Sequence, residues 1–260
     1  MDSRRSARLA LAESYQTVVG WNKAAGETTM RFSLLIWDFD GTLADSLALA
    51  LELFNRSSAV WGYRPVTDVE AVRHLSARQF MRQHGISWWR LPRLVRYFHA
   101  EAAAYASQLR LYPPVAEMLP PLREAGLRFG ILSSNSEANI RATLRANGQE
   151  EAFEFIASCP RLFRKGSALR RLVRRLDVPR ERILYLGDEV RDITAARKAG
   201  VAIAAVSWGF HALPVLRAAQ PDFLLTHPHQ LWDVLAAVPA SAERAPGVSP
   251  GAARLPSPAA

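Results

Sequence analysis

Apolar and polar positions divide the chain into three stretches. In the first, the run Leu34-Leu35-Ile36-Trp37 ends in Asp38-Phe39-Asp40-Gly41-Thr42. A short apolar run bounded by turn formers predicts a buried strand. In the second stretch, residues 47–112, apolar residues recur at helical spacing and no alternating segment appears. Helices are predicted from Leu47 to Gly62, from Thr67 or Asp68 to about His84, and from Trp88-Trp89-Arg90-Leu91-Pro92 to about Arg110. In the third stretch, after Tyr112, strands alternate with helices. Strands are predicted over 127–132, 153–156, 183–186, 201–206 and 222–225. Helices are predicted over 115–125, from Ser136 to about Asn147, after Ser167, over 190–199 and over 229–238. Alternation of this kind predicts an α/β fold: a Rossmann-like parallel sheet covered by helices on both faces.

The organisation follows from these stretches. Residues 30–46 and 113–238 form the core domain, and 47–112 form a small inserted helical cap domain. Residues 1–29 read as an N-terminal extension, either disordered with a short helix near 6–19 or not translated, in which case Met30 is the start. Residues 239–260 are mostly Ala, Pro, Ser and Gly, which predicts a disordered tail.

Composition narrows the function. With 260 residues and 49% hydrophobic composition, the chain can bury a sizeable core. Its single cysteine, Cys159, excludes an internal disulfide and fits a reducing, cytoplasmic setting; it reads as an ordinary buried residue. No apolar run is long enough to cross a bilayer, and Glu13, Ser14 and Gln16 break the N-terminal apolar patches, so neither a membrane partner nor a signal peptide is expected. The net charge of +9 is diffuse: nine basic and four acidic residues over 47–112, 17 and 13 over 113–239. This suits anionic ligands, and without a recognisable module it predicts no nucleic-acid partner. The arginine run in 169–176 keeps helical spacing and reads as a solvated helix face.

The chemistry lies in four polar clusters: Asp38/Asp40/Thr42, Ser133/Ser134/Asn135, Lys165, and Asp188/Glu189/Asp192. Each follows a predicted strand or precedes a helix. In a parallel sheet such ends lie on one edge, where α/β folds bind ligands. Asp38 and Asp40 alone would also fit a capped turn. Four clusters in this order point instead to phosphoryl transfer: clustered carboxylates repel unless a cation sits among them, and oxygen donors suit Mg²⁺.

Asp38-Phe39-Asp40-Gly41-Thr42, the hydroxyl residue after the second strand, Lys165, and Gly187-Asp188 with Asp192 resemble the four motifs of the haloacid dehalogenase superfamily. With a helical cap between the first and second motifs, the chain looks most like its phosphoglycolate-phosphatase-like branch. That resemblance implies a Mg²⁺-dependent phosphoric monoester hydrolase acting on a small-molecule phosphate ester, as a monomer or homodimer. By the same resemblance Asp38 is the nucleophile, Asp40 the acid and base, Ser133 and Lys165 bind and balance the phosphate, and Thr42, Ser134 and Asn135 assist. Asp38, Asp40 (through its carbonyl), Asp188 and Asp192 serve the metal. Glu189 in place of Asp192, and Ser134 in place of Ser133, stay open. His74, Arg78 and the Trp88-Trp89-Arg90 cluster are candidates to face the cleft and select the substrate, although the tryptophans also suit the cap's own core. Two other readings share the motifs: a sugar-phosphate mutase and a non-catalytic binding or regulatory protein. A true dehalogenase lacks the second carboxylate, so Asp40 argues against it.

Overall fold

The computed structural model describes residues 30–160 and 164–236. The expected N-terminal extension and tail lie outside them. Six strands, β1 (Leu34–Trp37), β2 (Arg128–Ser133), β3 (Phe155–Ser158), β4 (Ile183–Gly187), β5 (Ala202–Val206) and β6 (Phe223–Leu225), form one sheet. All pairings are parallel, in the order β3-β2-β1-β4-β5-β6. The central strand β1 is flanked by β2 and β4, so the strand order reverses beside it. The crevice at the carboxyl ends there is the expected ligand site.

Every residue of β1 is buried, because both faces of the sheet are covered. Leu35 and Trp37 join Phe129, Leu184 and Leu186 in one core, closed by the helices α5 (Pro113–Glu124), α6 (Glu137–Ala146) and α10 (Leu231–Ala236). Leu34 and Ile36 join Tyr185 and Ile203 in a second core, closed by α7 (Lys165–Val173), α8 (Val190–Ala199) and α9 (Leu213–Ala218). Alternate residues of one strand thus serve opposite layers.

Between β1 and α5 the chain forms a helical insert: α1 (Leu47–Trp61), α2 (Val69–Arg73), α3 (Ala77–His84) and α4 (Leu91–Ala103). It has its own small core of Phe54, Tyr63, Val66 and Leu94. The insert leaves and re-enters the core side by side: Ala44 bridges Leu111 antiparallel, and Tyr112 N–H donates to Leu43 at 2.9 Å. The single helix expected up to His84 is two. Ser76 and Gln79 form a capping box that starts α3 afresh. The predicted helix reaching Arg110 ends at Ala103. The third strand lies two residues later than expected, because Glu150–Ala152 form a 3₁₀ turn ahead of it. Arg170, Arg171, Arg174 and Arg175 are exposed beside buried Leu169 and Val173, consistent with a solvated face. Cys159 is half-buried.

Candidate active site

Asp38 directly follows β1, and its N–H donates to the Leu186 carbonyl of β4 at 2.8 Å. The chain then turns sharply. Gly41 has φ +74°, a left-handed conformation that favours glycine. A Cβ there would also lie 2.3 Å from Asp188 Oδ2, and a Cβ on Gly209 would lie equally close to the same oxygen. The two glycines let two loops close around Asp188. Thr42 completes the clamp by donating to Asp188 Oδ1 at 2.8 Å, while Phe210 N–H donates to Oδ2 at 2.7 Å.

Lys165 begins α7 and is buried. Its ammonium donates to Asp38 and, at 2.6 Å, to Asp192 Oδ1. The other Asp192 oxygen accepts Glu189 N–H at 3.0 Å, at the start of α8. Burial raises Asp38 to about 6, against the pull of Lys165. Burial, with Glu189 and Asp38 adding to it, raises Asp188 well above the usual carboxylate range. Burial also opposes the charge on Lys165, but Asp192 and Asp38 outweigh it and the net shift is upward. Asp192 is the exception: Lys165 and Arg191 overcome burial and hold it below its ordinary value.

Asp38, Asp188 and Asp192 each offer an oxygen within 4.8 Å of the others. Three buried carboxylates this close, two of them pushed toward protonation, fit a hard divalent cation with oxygen ligands. Asp192 is already engaged by Lys165 and a backbone N–H, so it braces the group. Glu189 is drawn to Arg191 at 2.5 Å.

Asp40 is half-buried and faces a cavity of about 380 Å³ between the core and the insert. Asn135 donates to its Oδ2 at 3.0 Å. Burial raises the Asp40 carboxyl above its ordinary value, and the nearby Ser46 hydroxyl and the hydrogen bond from Asn135 partly offset this. Ser134 and Asn135 line the same cavity. Ser133 is fully buried, and its Oγ accepts Asn135 N–H at 3.1 Å, shaping the loop that presents Asn135.

Some expected residues lie elsewhere. Thr42 does not line the cavity; its hydroxyl is buried against Asp188, because the turn at Gly41 carries it inward. His74 is exposed and pairs with Glu70 at 3.4 Å, and Arg78 is exposed. The helix break before Ser76 turns both from the cleft. Trp88 and Trp89 are 78% and 62% exposed, neither in the insert's core nor at the cavity, and Arg90 lies over the Trp89 ring at 4.9 Å.

Sequence reasoning missed two cavity residues. His99, on α4, lies within the field of Asp40 and near the Ser134 backbone; burial lowers its pKa. It belongs to the stripe Leu91, Val95, Phe98, Ala102, whose helical spacing was the available signal. Arg191 sits in the first turn of α8, inside the Gly-Asp-Glu-Val-Arg-Asp run. Burial opposes its charge, but Glu189, Asp192, Asp38 and Asp188 hold it protonated above its ordinary range. Its Nε and Nη1 are buried without hydrogen-bond partners in the protein.

The insert is pinned over this floor. Arg73 donates to the Ser207 carbonyl at 3.1 Å, Ala212 N–H to the Arg73 carbonyl at 3.0 Å, and Asn139 to the His99 carbonyl at 2.9 Å.

Comparison with known proteins agrees with this geometry. The profile described as haloacid dehalogenase-like hydrolase matches residues 35–206. A phosphoglycolate phosphatase of Synechococcus elongatus is 38% identical over 199 residues, covering 76% of this chain and 94% of that protein. One of Xanthomonas campestris is 29% identical over 217 residues, covering 78% and 97%. The solved structure of a haloacid dehalogenase-like hydrolase from Streptococcus pneumoniae superposes with a TM-score of 0.65 at 20% identity, covering 78% of this chain and 98% of that one.

Proposed function

The chain belongs to the haloacid dehalogenase-like hydrolase family, and on that premise we propose that it hydrolyses a small phosphate monoester with Mg²⁺ through an acyl phosphate formed on Asp38. The observation that carries the reading is the meeting of Asp38, Lys165, Asp188 and Asp192 in one buried group, with Asp40 at the adjoining cavity.

An Asp38 carboxylate oxygen attacks phosphorus, and the bond from phosphorus to the alcohol oxygen breaks. Asp40, whose carboxyl burial raises above its ordinary value, gives a proton to the departing alkoxide. Asp40 then takes a proton from water as that water attacks phosphorus, and the bond to Asp38 breaks to release phosphate. Lys165 and Arg191 offset the charge of the carboxylates and the phosphate. Asp38, Asp188 and the Asp40 carbonyl would hold Mg²⁺, braced by Asp192. Bound there, the ion supplies charge neutralisation at the phosphate oxygens.

Phosphoglycolate, for which two of the relatives are named, is the first ester to assay. The decisive experiment measures phosphate release from a panel of small esters with Mg²⁺ and with chelator. Wild type should turn over with Mg²⁺ only. Asp38→Asn should lose at least about 10³-fold, since removing a nucleophile leaves only binding and electrostatics, while its circular dichroism is unchanged. Folded wild type inert toward every ester would refute the proposal.

A further inference from the structure

The cavity above the catalytic floor has a chemical character unlike the floor itself. At its base lie Asp40, Ser134 and Asn135. Above them its walls are apolar: Leu51 and Phe54 from α1, Phe80 from α3, and Leu94 and Phe98 from α4. Leu51, Phe80 and Phe98 pack against the insert's core yet are only half-buried. The insert thus presents apolar surface to an internal space of about 380 Å³, a volume in the range of small-molecule sites.

The polar groups lining this space have partners of their own: Glu189 pairs with Arg191, Asn139 and Thr143 donate to backbone carbonyls, and His99 stands in the field of Asp40. Arg73 is engaged by Glu70 and the Ser207 carbonyl. Arg191 is paired with Glu189 and stands in the field of Asp38, Asp188 and Asp192, at the phosphate end. A second anionic group on the substrate would enter the apolar part without a partner, which is costly. An apolar cavity favours apolar occupants over water.

We propose that the preferred substrate is a phosphate monoester whose leaving group is an apolar chain or ring, seated among Leu51, Phe54, Phe80 and Phe98 while the phosphate meets Asp38. This rests on the phosphatase reading and names its substrate class. The chemistry is that of the proposed reaction, with Asp40 at the cavity base placed to protonate the departing alcohol.

The test uses the full chain with Mg²⁺ and compares 2-phosphoglycolate with ethyl, butyl and hexyl phosphate and with 1-naphthyl phosphate. Burial of each added methylene is worth about two- to fourfold in kcat/KM, so efficiency should climb along the alkyl series. Hexyl and naphthyl phosphate should then exceed phosphoglycolate by at least tenfold. Ala102→Phe, which places a ring in the cavity, should cut the hexyl-to-phosphoglycolate ratio by about tenfold or more. Efficiency that is flat or falls with chain length, or phosphoglycolate as the better substrate, overturns the assignment while leaving the phosphatase reading standing. No phosphate release from any ester, phosphoglycolate included, overturns both. The Ala102→Phe ratio is read only on protein whose thermal unfolding remains cooperative; if that variant does not fold, Ala50→Phe, on the facing helix α1, supplies the same ratio.

Discussion

Lys165 and Asp192 meet at 2.6 Å, and the same ammonium reaches Asp38 on the opposite side. One buried cation therefore holds two buried carboxylates, one directly after β1 and one in the first turn of α8. Removing one partner of a buried ion pair leaves uncompensated charge and costs about 3–5 kcal/mol. Lys165→Met should accordingly destabilise the metal-free protein by about that amount at pH 7.5. Without the ammonium, Asp38 and Asp192 shift upward in pKa, so their contribution to stability is present at low pH and is lost as pH rises. The deficit against wild type should shrink toward pH 5. Urea unfolding at both pH values, with chelator present, measures this; a deficit that does not change with pH would refute it.

Proton and metal compete for the same carboxylates. Asp38 is raised to about 6 and Asp188 well above the usual range, chiefly by burial. For Asp38 the unfolded value is about 3.9. A group raised on folding contributes stability that is complete below its unfolded value and is lost as pH climbs through its folded value. The chelated protein should therefore lose this contribution between about pH 4 and 6. Mg²⁺ occupies the place of the protons, so its stabilising effect should be larger at pH 7.5 than at pH 5. The readout is the difference in Tm with Mg²⁺ and with chelator at each pH, which cancels other titrations. Equal shifts at the two values would contradict a metal site built on these carboxylates.

Asn135 donates to Asp40 at the base of the cavity at 3.0 Å. This hydrogen bond favours the ionised carboxylate and partly offsets burial. Asn135→Ala should raise the Asp40 pKa further, moving the alkaline limb of the kcat profile to higher pH. It should also lower kcat about tenfold, the equivalent of one hydrogen bond of roughly 1.4 kcal/mol. A profile that keeps its limb while only KM changes would show that Asn135 acts on substrate binding instead.

The sheet was legible because each strand is a short apolar run closed by turn residues. Burial on both faces makes such runs continuous. The boundaries that moved did so for local reasons. Ser76 offered a better helix start than continuation through His74, and a 3₁₀ turn at Glu150–Ala152 displaced β3. Asp38, Lys165, Asp188 and Asp192 were visible as polar residues at strand ends or helix starts, and a parallel sheet puts such ends on one edge.

The insert was harder to read, because helical spacing tells which residues share a face but not which face meets the cleft. His74 and Arg78 carried suitable chemistry and lie outside; His99 and the apolar stripe on its helix lie inside.

Taken alone, the amino-acid order determined which local segments become strands and helices and which polar residues stand at their ends. Propensity, period and turn chemistry act over a few residues. Only the tertiary structure decided that Thr42 closes on Asp188, that Arg191 enters the field of four carboxylates, and that the insert turns an apolar wall toward Asp40. Those relationships join residues distant in sequence, through packing whose orientation no local pattern encodes.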